Sequence, residues 1–333
     1  MCCKQFVILL SLLSTAISKE ARFENVEING YDLSKLVYSK KIEKAFSLTE
    51  NLPKNYVDKL VISGNIPVLH EGALNLKELD ELVMENCKIR EIQPGAINVG
   101  EMRKLSLNRN LITEIKPHVF SNLSLFVLDL SKNNINKIDS NAFNDMSNLM
   151  TLNLGWNNID RIDSNWFRGA PELTHFTMHH NSIQEVPDKV FHYLAENRNS
   201  KQISTSLGIV LDHNKIKTVH PGAFKGLKEI EMVWLHDNLL QGLDENTWES
   251  IHLRQLTLGN NNITCFEGDL DKILSADKIS VEPNPFDCAC LEKLMGWSKQ
   301  SKKSIDLFYA DNECKLKDIR RRIDNLNKAF DNY

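Results

Sequence analysis

The sequence predicts an α/β solenoid, a horseshoe of stacked coils whose short strands form a parallel sheet on the concave face. One observation is a recurring asparagine, at Asn65, Asn110, Asn133, Asn157, Asn181, Asn214, Asn238, Asn261 and Asn284, with Cys87 in one register. The steps are 22 to 24 residues, with a single step of 33. A second is a pair of apolar residues two apart before each asparagine, such as Leu128 and Leu130. A third is an aromatic ten residues past it: Phe120, Phe143, Phe167, Phe191, Phe224 and Trp248. A fixed period of this length marks an array in which each unit buries its apolar face only against its neighbours.

Each part of the period has a physical task. Alternate residues of a strand face one way, so Leu128 and Leu130 point into the coil. The asparagine follows where the chain turns away, and its amide both donates and accepts, so it can satisfy backbone groups that the turn leaves unpaired. Stacked coils then build a ladder of asparagines, in which the small, weakly donating Cys87 serves as one rung. Ile135 and Ile138 belong to the return path, and the aromatics stack on the convex side of the core. The long step contains the polar insert at residues 196–206.

The stretch FVLDLSKNNINKIDSNAF, residues 126–143, has near copies upstream (MRKLSLNRNLITEIKPHVF) and downstream (LMTLNLGWNNIDRIDSNWF). These resemble the leucine-rich repeat family, with its L-x-x-L-x-L-x-x-N/C-x-L pattern, over roughly residues 51–290. The expected plan is a signal peptide at 1–18, an N-terminal cap at 19–50 and about ten repeats at 51–284. A cysteine-rich C-terminal cap at 285–316 and a heptad-patterned helical tail at 317–333 follow.

The first residues, MCCKQFVILLSLLSTAIS, have a lysine, an apolar run and small residues at a cleavage spacing, which predicts export. The run is shorter than a membrane span needs, and no second long apolar run follows. Of seven cysteines, cleavage removes Cys2 and Cys3, and Cys87 is a rung. Cys265, Cys288, Cys290 and Cys314 remain, an even set that reads as two disulfides in an oxidising compartment. Cys265 and Cys288 each lie four residues past their asparagine, in one column of adjacent coils. Neighbouring strands are about 4.8 Å apart, within disulfide reach, which favours Cys265–Cys288 with Cys290–Cys314.

The segment PNPFDCACLEKLMGWSKQ resembles the C-terminal cap of extracellular leucine-rich repeat proteins, with Leu291, Leu294 and Trp297 at helical spacing over the last repeat. The pairing usual in that cap implies instead Cys288–Cys314, leaving Cys265 with Cys290. At the other end, FENVEI is expected to pair as an edge strand and KKIEKAF to form a short helix. In the tail, Leu316, Ile319, Ile323, Leu326 and Phe330 step by three and four, an a/d seam. It is expected to fold back on the cap, or otherwise to dock a second chain, giving a monomer or a weak dimer.

Net charge is −4 with both signs interspersed, which supplies no electrostatic footprint for nucleic acid. No catalytic motif is present, so no enzyme activity and no cofactor are expected. The concave columns lie six, four and two residues before each asparagine. In early coils they carry Lys104, Ser106, Asn108, Val127, Asp129 and Ser131. The middle coils are different: Trp156, His175, Thr177, His179, His180, Asp212, His213, Met232, Trp234, His236 and Asp237. Five of the ten histidines fall there, and exposed aromatics among polar neighbours are typical of protein-binding hot spots. His179, Asp212 and His236 share a column, two imidazoles about a carboxylate, a pattern open to metal or pH sensitivity. Asn122 and Asn262 begin N-x-S/T sequons, candidate glycan sites.

The plan as a whole resembles the secreted leucine-rich repeat immune proteins of mosquitoes and other insects. That resemblance implies an extracellular recognition protein for complement-like thioester proteins or microbial surface components. Such proteins commonly carry a long coiled coil and an extra cysteine; here the seam is short. The alternative is an adhesion or matrix protein of the connectin, chaoptin or Toll-ectodomain type. A more remote class is an enzyme inhibitor.

Overall fold

The computed structural model describes residues 23–323 apart from residues 46, 122, 202–205, 308–311, 313, 318 and 322. The signal-peptide segment, Asn122, Leu326 and Phe330 lie outside the described residues. The chain forms a twelve-stranded sheet in which the first three strands pair antiparallel and, from the third on, each strand runs parallel to the next in chain order. The strands are β1 (Phe23–Asp32), β2 (Lys35–Ala45), β3 (Lys59–Asn65), β4 (Glu81–Val83), β5 (Lys104–Ser106) and β6 (Val127–Asp129). They continue as β7 (Thr151–Asn153), β8 (His175–Thr177), β9 (Leu207–Val210), β10 (Glu229–Trp234), β11 (His252–Thr257) and β12 (Lys278–Ser280). The return path is made of turns, short strands such as Glu114–Ile115 against Lys137–Ile138 and Leu74–Glu78 against Ile97–Glu101, and a helix at His192–Lys201. Short helical pieces join them, including Ser164–Phe167.

The buried interior is one continuous cluster from Phe23 to Leu307. Leu128 and Leu130 are fully buried, as are Ile135 and the aromatics Phe120, Phe143, Phe167, Phe191 and Phe224. Phe120 stacks on Phe143 and Phe191 on Phe224, while Trp248 closes the column and donates its indole N–H to Ile273 O. These rings are structural, filling the space between the sheet and the return path.

The asparagine ladder has a repeating bond scheme. Asn133 Nδ2 donates to Leu130 O in its own coil and to Leu107 O in the preceding one, both at 3.0 Å, and its Oδ1 accepts from Ile112 N. Asn157, Asn181, Asn214, Asn238 and Asn261 repeat the scheme. The Cys87 thiol takes the same place, donating to Ile62 O at 3.1 Å. Asn65 is no rung: it is exposed and ends a strand paired antiparallel with β1.

At the N-terminus, FENVEI is strand β1, but KKIEKAF is not a helix: through Ala45 it is the end of β2, antiparallel to β1. Only Ile42 in that stretch is buried, with Lys40, Lys41, Glu43 and Lys44 exposed. A hairpin buries that one apolar side chain and covers the edge of the parallel sheet in one step.

At the other end, helix α2 (Cys288–Ser301) follows the short α1 (Leu270–Ile273), with the Asp287 carboxylate capping it by accepting from Cys290 N. Leu291 and Leu294 are buried on the last coil, and Trp297 donates to Asp271. The disulfides are Cys265–Cys290 and Cys288–Cys314, which corrects the Cys265–Cys288 pairing. Cys288 does not continue the strand-derived column because it opens a helix. Residues two apart on a helix point about 200° apart, so buried Cys290 faces the coil that holds Cys265 while Cys288 faces the tail.

The tail is helical at residues 314–317 and 319–321. The described residues of its seam are not buried against the cap: Leu316, Ile319 and Ile323 are each half or more exposed. The heptad spacing makes an apolar stripe, and a stripe alone does not determine what it meets.

Candidate functional site

The residue immediately before each rung has a left-handed backbone, with φ of 52–58° at Arg109, Lys132, Trp156, His180, His213, Asp237 and Asn260. Short polar residues and histidine tolerate this region, but a bulky side chain there is rare. Trp156 is such a side chain, and it is 47% exposed. The left-handed turn lifts these side chains into a row along the edge of the sheet, one coil apart.

In the middle coils the row is a stack. The Trp156 indole lies on the His180 imidazole with ring centroids 3.7 Å apart, and His180 lies on His213 at 4.0 Å, near parallel. The Lys132 ammonium sits 6.0 Å over the other end of the indole. Beyond His213, its Nε2 faces Asp237 Oδ2 at 3.6 Å, and Asp237 Oδ1 accepts from Asn260.

A second row lies inside the first, two residues before each rung: Gly155, His179, Asp212, His236 and Gly259. Gly155 leaves room for the His179 ring, which a Cβ there would displace. Asp212 is 6% exposed and lies among the histidines. Its Oδ2 accepts from His213 Nδ1 at 2.8 Å and is 3.6 Å from His236 Nε2. His236 Nδ1 is 2.9 Å from the Thr257 hydroxyl. Burial holds the His179 and His180 imidazoles below the usual histidine range, against the pull of Asp212.

The structure therefore brings together Trp156, His179, His180, Asp212, His213, His236 and Asp237. The His179–Asp212–His236 column is not a ligand set; the groups whose donor atoms converge are His180 with Asp212 and His213, and His213 with His236 and Asp237. Trp234 lies beside the cluster, its ring 6.0 Å from His236. His175, Thr177 and Met232 stand apart on the strands, with His175 near its neighbour Thr174 and Met232 against Gly208. Spacing alone did not single out Lys132, Thr257 and Asn260. Lys132 and Asn260 belong to the left-handed row one coil away, and Thr257 to the strand column of Trp234.

Several polar atoms here are buried without a partner: His179 Nδ1, His180 Nδ1, Asp212 Oδ1 and Trp234 Nε1. The N-terminal half of the concave face contrasts with this. There Glu85, Ser106, Asn108 and Asp129 bond one another, and Glu81 takes Lys59 and Lys104.

The leucine-rich repeat family model matches residues 77–135, 124–183 and 208–263. The chain is a leucine-rich repeat solenoid. Among solved structures, 231 chains match this solenoid. The crystal structure of a TLR13–ssRNA13 complex is 22% identical, with TM-score 0.47, and the match covers 63% of this chain and 35% of that one. A leucine-rich repeat protein of Leptospira interrogans, LIC12759, is 17% identical, with TM-score 0.40, covering 68% of this chain and 72% of that one. This solenoid thus spans about a third of the TLR13 chain. No curated protein matches it. Among the described residues no helix is long and apolar enough to cross a membrane.

Proposed function

We propose that this leucine-rich repeat protein acts outside the cell as a recognition scaffold, holding a protein guest on its concave face between Trp156 and Trp234. The observation that carries the reading is the exposed indole of Trp156, held rigid by its stack on His180 and His213. A rigid aromatic offers a large contact area at small entropic cost, which is what an interface anchor needs.

Two disulfides at the C-terminal end fit an oxidising compartment, and the leader-like start of the sequence fits export. Asn262 is exposed and is available for a glycan there. Within that compartment the guest belongs to innate defence: a complement-like thioester protein or a microbial surface component. The support for this narrower role is the likeness in overall plan to secreted insect immune proteins.

Surface plasmon resonance against purified thioester proteins and bacterial cell-wall fractions tests it. Saturable binding that Trp156→Ala weakens at least about tenfold, the loss of a hot-spot side chain, is expected. Binding unaffected by Trp156→Ala and Trp234→Ala together would move the guest off this face.

A further inference from the structure

The geometry points to a divalent metal site on the concave face, formed by His213 Nε2, His236 Nε2 and Asp237 Oδ2, with a zinc-class ion as its ligand. The three donor atoms converge: the Asp237 oxygen is 3.6 Å from His213 Nε2 and 3.9 Å from His236 Nε2, and all three lie within 4.8 Å of one another. Zinc–nitrogen bonds near 2.0–2.1 Å in a tetrahedron place neighbouring donors roughly 3.4 Å apart. Closure on an ion therefore needs only small movements of partly exposed side chains.

Ring orientation selects this group over its neighbour. A metal lies in the plane of each imidazole that binds it. The His213 and His236 planes cross at 83°, so they share a line on which an ion can sit. His180 and His213 are stacked at 10° and 4.0 Å, so their planes do not meet near either ring. His180 therefore supports His213 by stacking and does not ligate with it.

Each ligand is held from behind. The Asp212 carboxylate can only accept, so at 2.8 Å it fixes the proton of His213 on Nδ1 and leaves Nε2 with its lone pair. His236 Nδ1 meets the Thr257 hydroxyl at 2.9 Å, while the nearest carboxylate oxygen to its Nε2 is 3.6 Å away. A hydroxyl accepts as readily as it donates, so with the His236 proton on Nδ1 the Thr257 oxygen accepts it and Nε2 is bare, the tautomer that an ion selects. Asp237 is held by Asn260 through its other oxygen. This carboxylate-to-histidine-to-ion arrangement is how ligating imidazoles are oriented in metal proteins. An independent sign is Asp212 itself: it is more than nine-tenths buried, its Oδ1 has no partner, and it lies against this group of imidazoles. A cation beside His213 compensates that buried negative charge. Three protein ligands leave a fourth position open towards the groove, and the site stands whatever guest the face takes.

Isothermal titration of the tag-free full chain with zinc chloride tests the site, with cobalt(II) absorption as a second readout. The expected result is one ion per chain in the micromolar range and visible cobalt bands. His213→Ala, His236→Ala and Asp237→Asn each weaken binding more than about tenfold, and Thr257→Val weakens it by about tenfold through the second sphere. His175→Ala, on the same face but outside the site, leaves the affinity unchanged. Should a variant misfold, X-ray absorption of the zinc-loaded wild type decides, with two imidazoles and an oxygen donor expected. Absence of saturable binding, affinity retained in His236→Ala, equal loss in His175→Ala, or an oxygen-only shell overturns the site.

Discussion

The His180 ring lies flat on the Trp156 indole, with centroids 3.7 Å apart and planes 15° apart, although the residues belong to different coils. Both have left-handed backbones, which cost roughly 1–2 kcal/mol each for a residue with a side chain. Stacking returns about 0.5–1.5 kcal/mol per pair. The row is thus a set of costly conformations that support one another. His180→Ala is expected to loosen Trp156 without unfolding the chain. Tryptophan near-ultraviolet dichroism checks this: a reduced signal with little change in Tm is expected, and an unchanged signal would mean that the indole is held otherwise.

Acidification should act through His179 and His180, neighbours in the two rows. His179 and His180 have folded values below the ordinary histidine value of about 6.5, so the unfolded chain binds the extra protons. Their contribution to stability is complete above that value and is lost as pH falls from there through the lowered folded values. Thermal melts in chelator should show a larger fall in Tm between neutral and acidic pH for the wild type than for a His179→Gln/His180→Gln variant.

Ladder positions should be far less tolerant than the faces. Asn133→Ala removes the buried bonds from Asn133 to Leu107 O, Leu130 O and Ile112 N and leaves the Ile112 N–H unpaired, while Leu107 O keeps Asn110 and Leu130 O keeps Asn157. A buried orphan costs about 1–3 kcal/mol, so a loss of at least about that size in urea unfolding is expected. Asn65→Ala, at a position that bears no rung, should cost little.

Cys87 should be inert as a thiol. It is fully buried, donates to Ile62 O, and burial pushes its pKa up to about 12. Native protein is expected to resist iodoacetamide at this residue, and to be labelled there in denaturant. Rapid native labelling would contradict its place in the ladder.

The solenoid was legible because its period is written in residues with one physical task each: Leu128 inward, Asn133 at the turn, Phe143 behind. The column argument misread the disulfide pairing, because it holds for strands and Cys288 starts a helix; the pairing implied by the cap resemblance is the one observed. KKIEKAF could not be read as a strand from its own residues, since its place in the sheet comes from pairing with the strand before it, Phe23–Asp32. The concave residues were visible in their columns, but the left-handed row was not. A column count of alternate residues skips the position that carries Trp156, His180 and His213, and only the turn geometry explains why they stack.

The recognition role rests on one face, and comparative capture tests it most directly. Immobilised wild type, a Trp156→Ala/Trp234→Ala variant and a Lys137→Ala variant on the return side would be exposed to extracellular fluid of the source organism. Proteins retained by the wild type and by Lys137→Ala, but lost from the tryptophan variant, are predicted. Equal retention by the tryptophan variant, with loss from Lys137→Ala, would contradict the account.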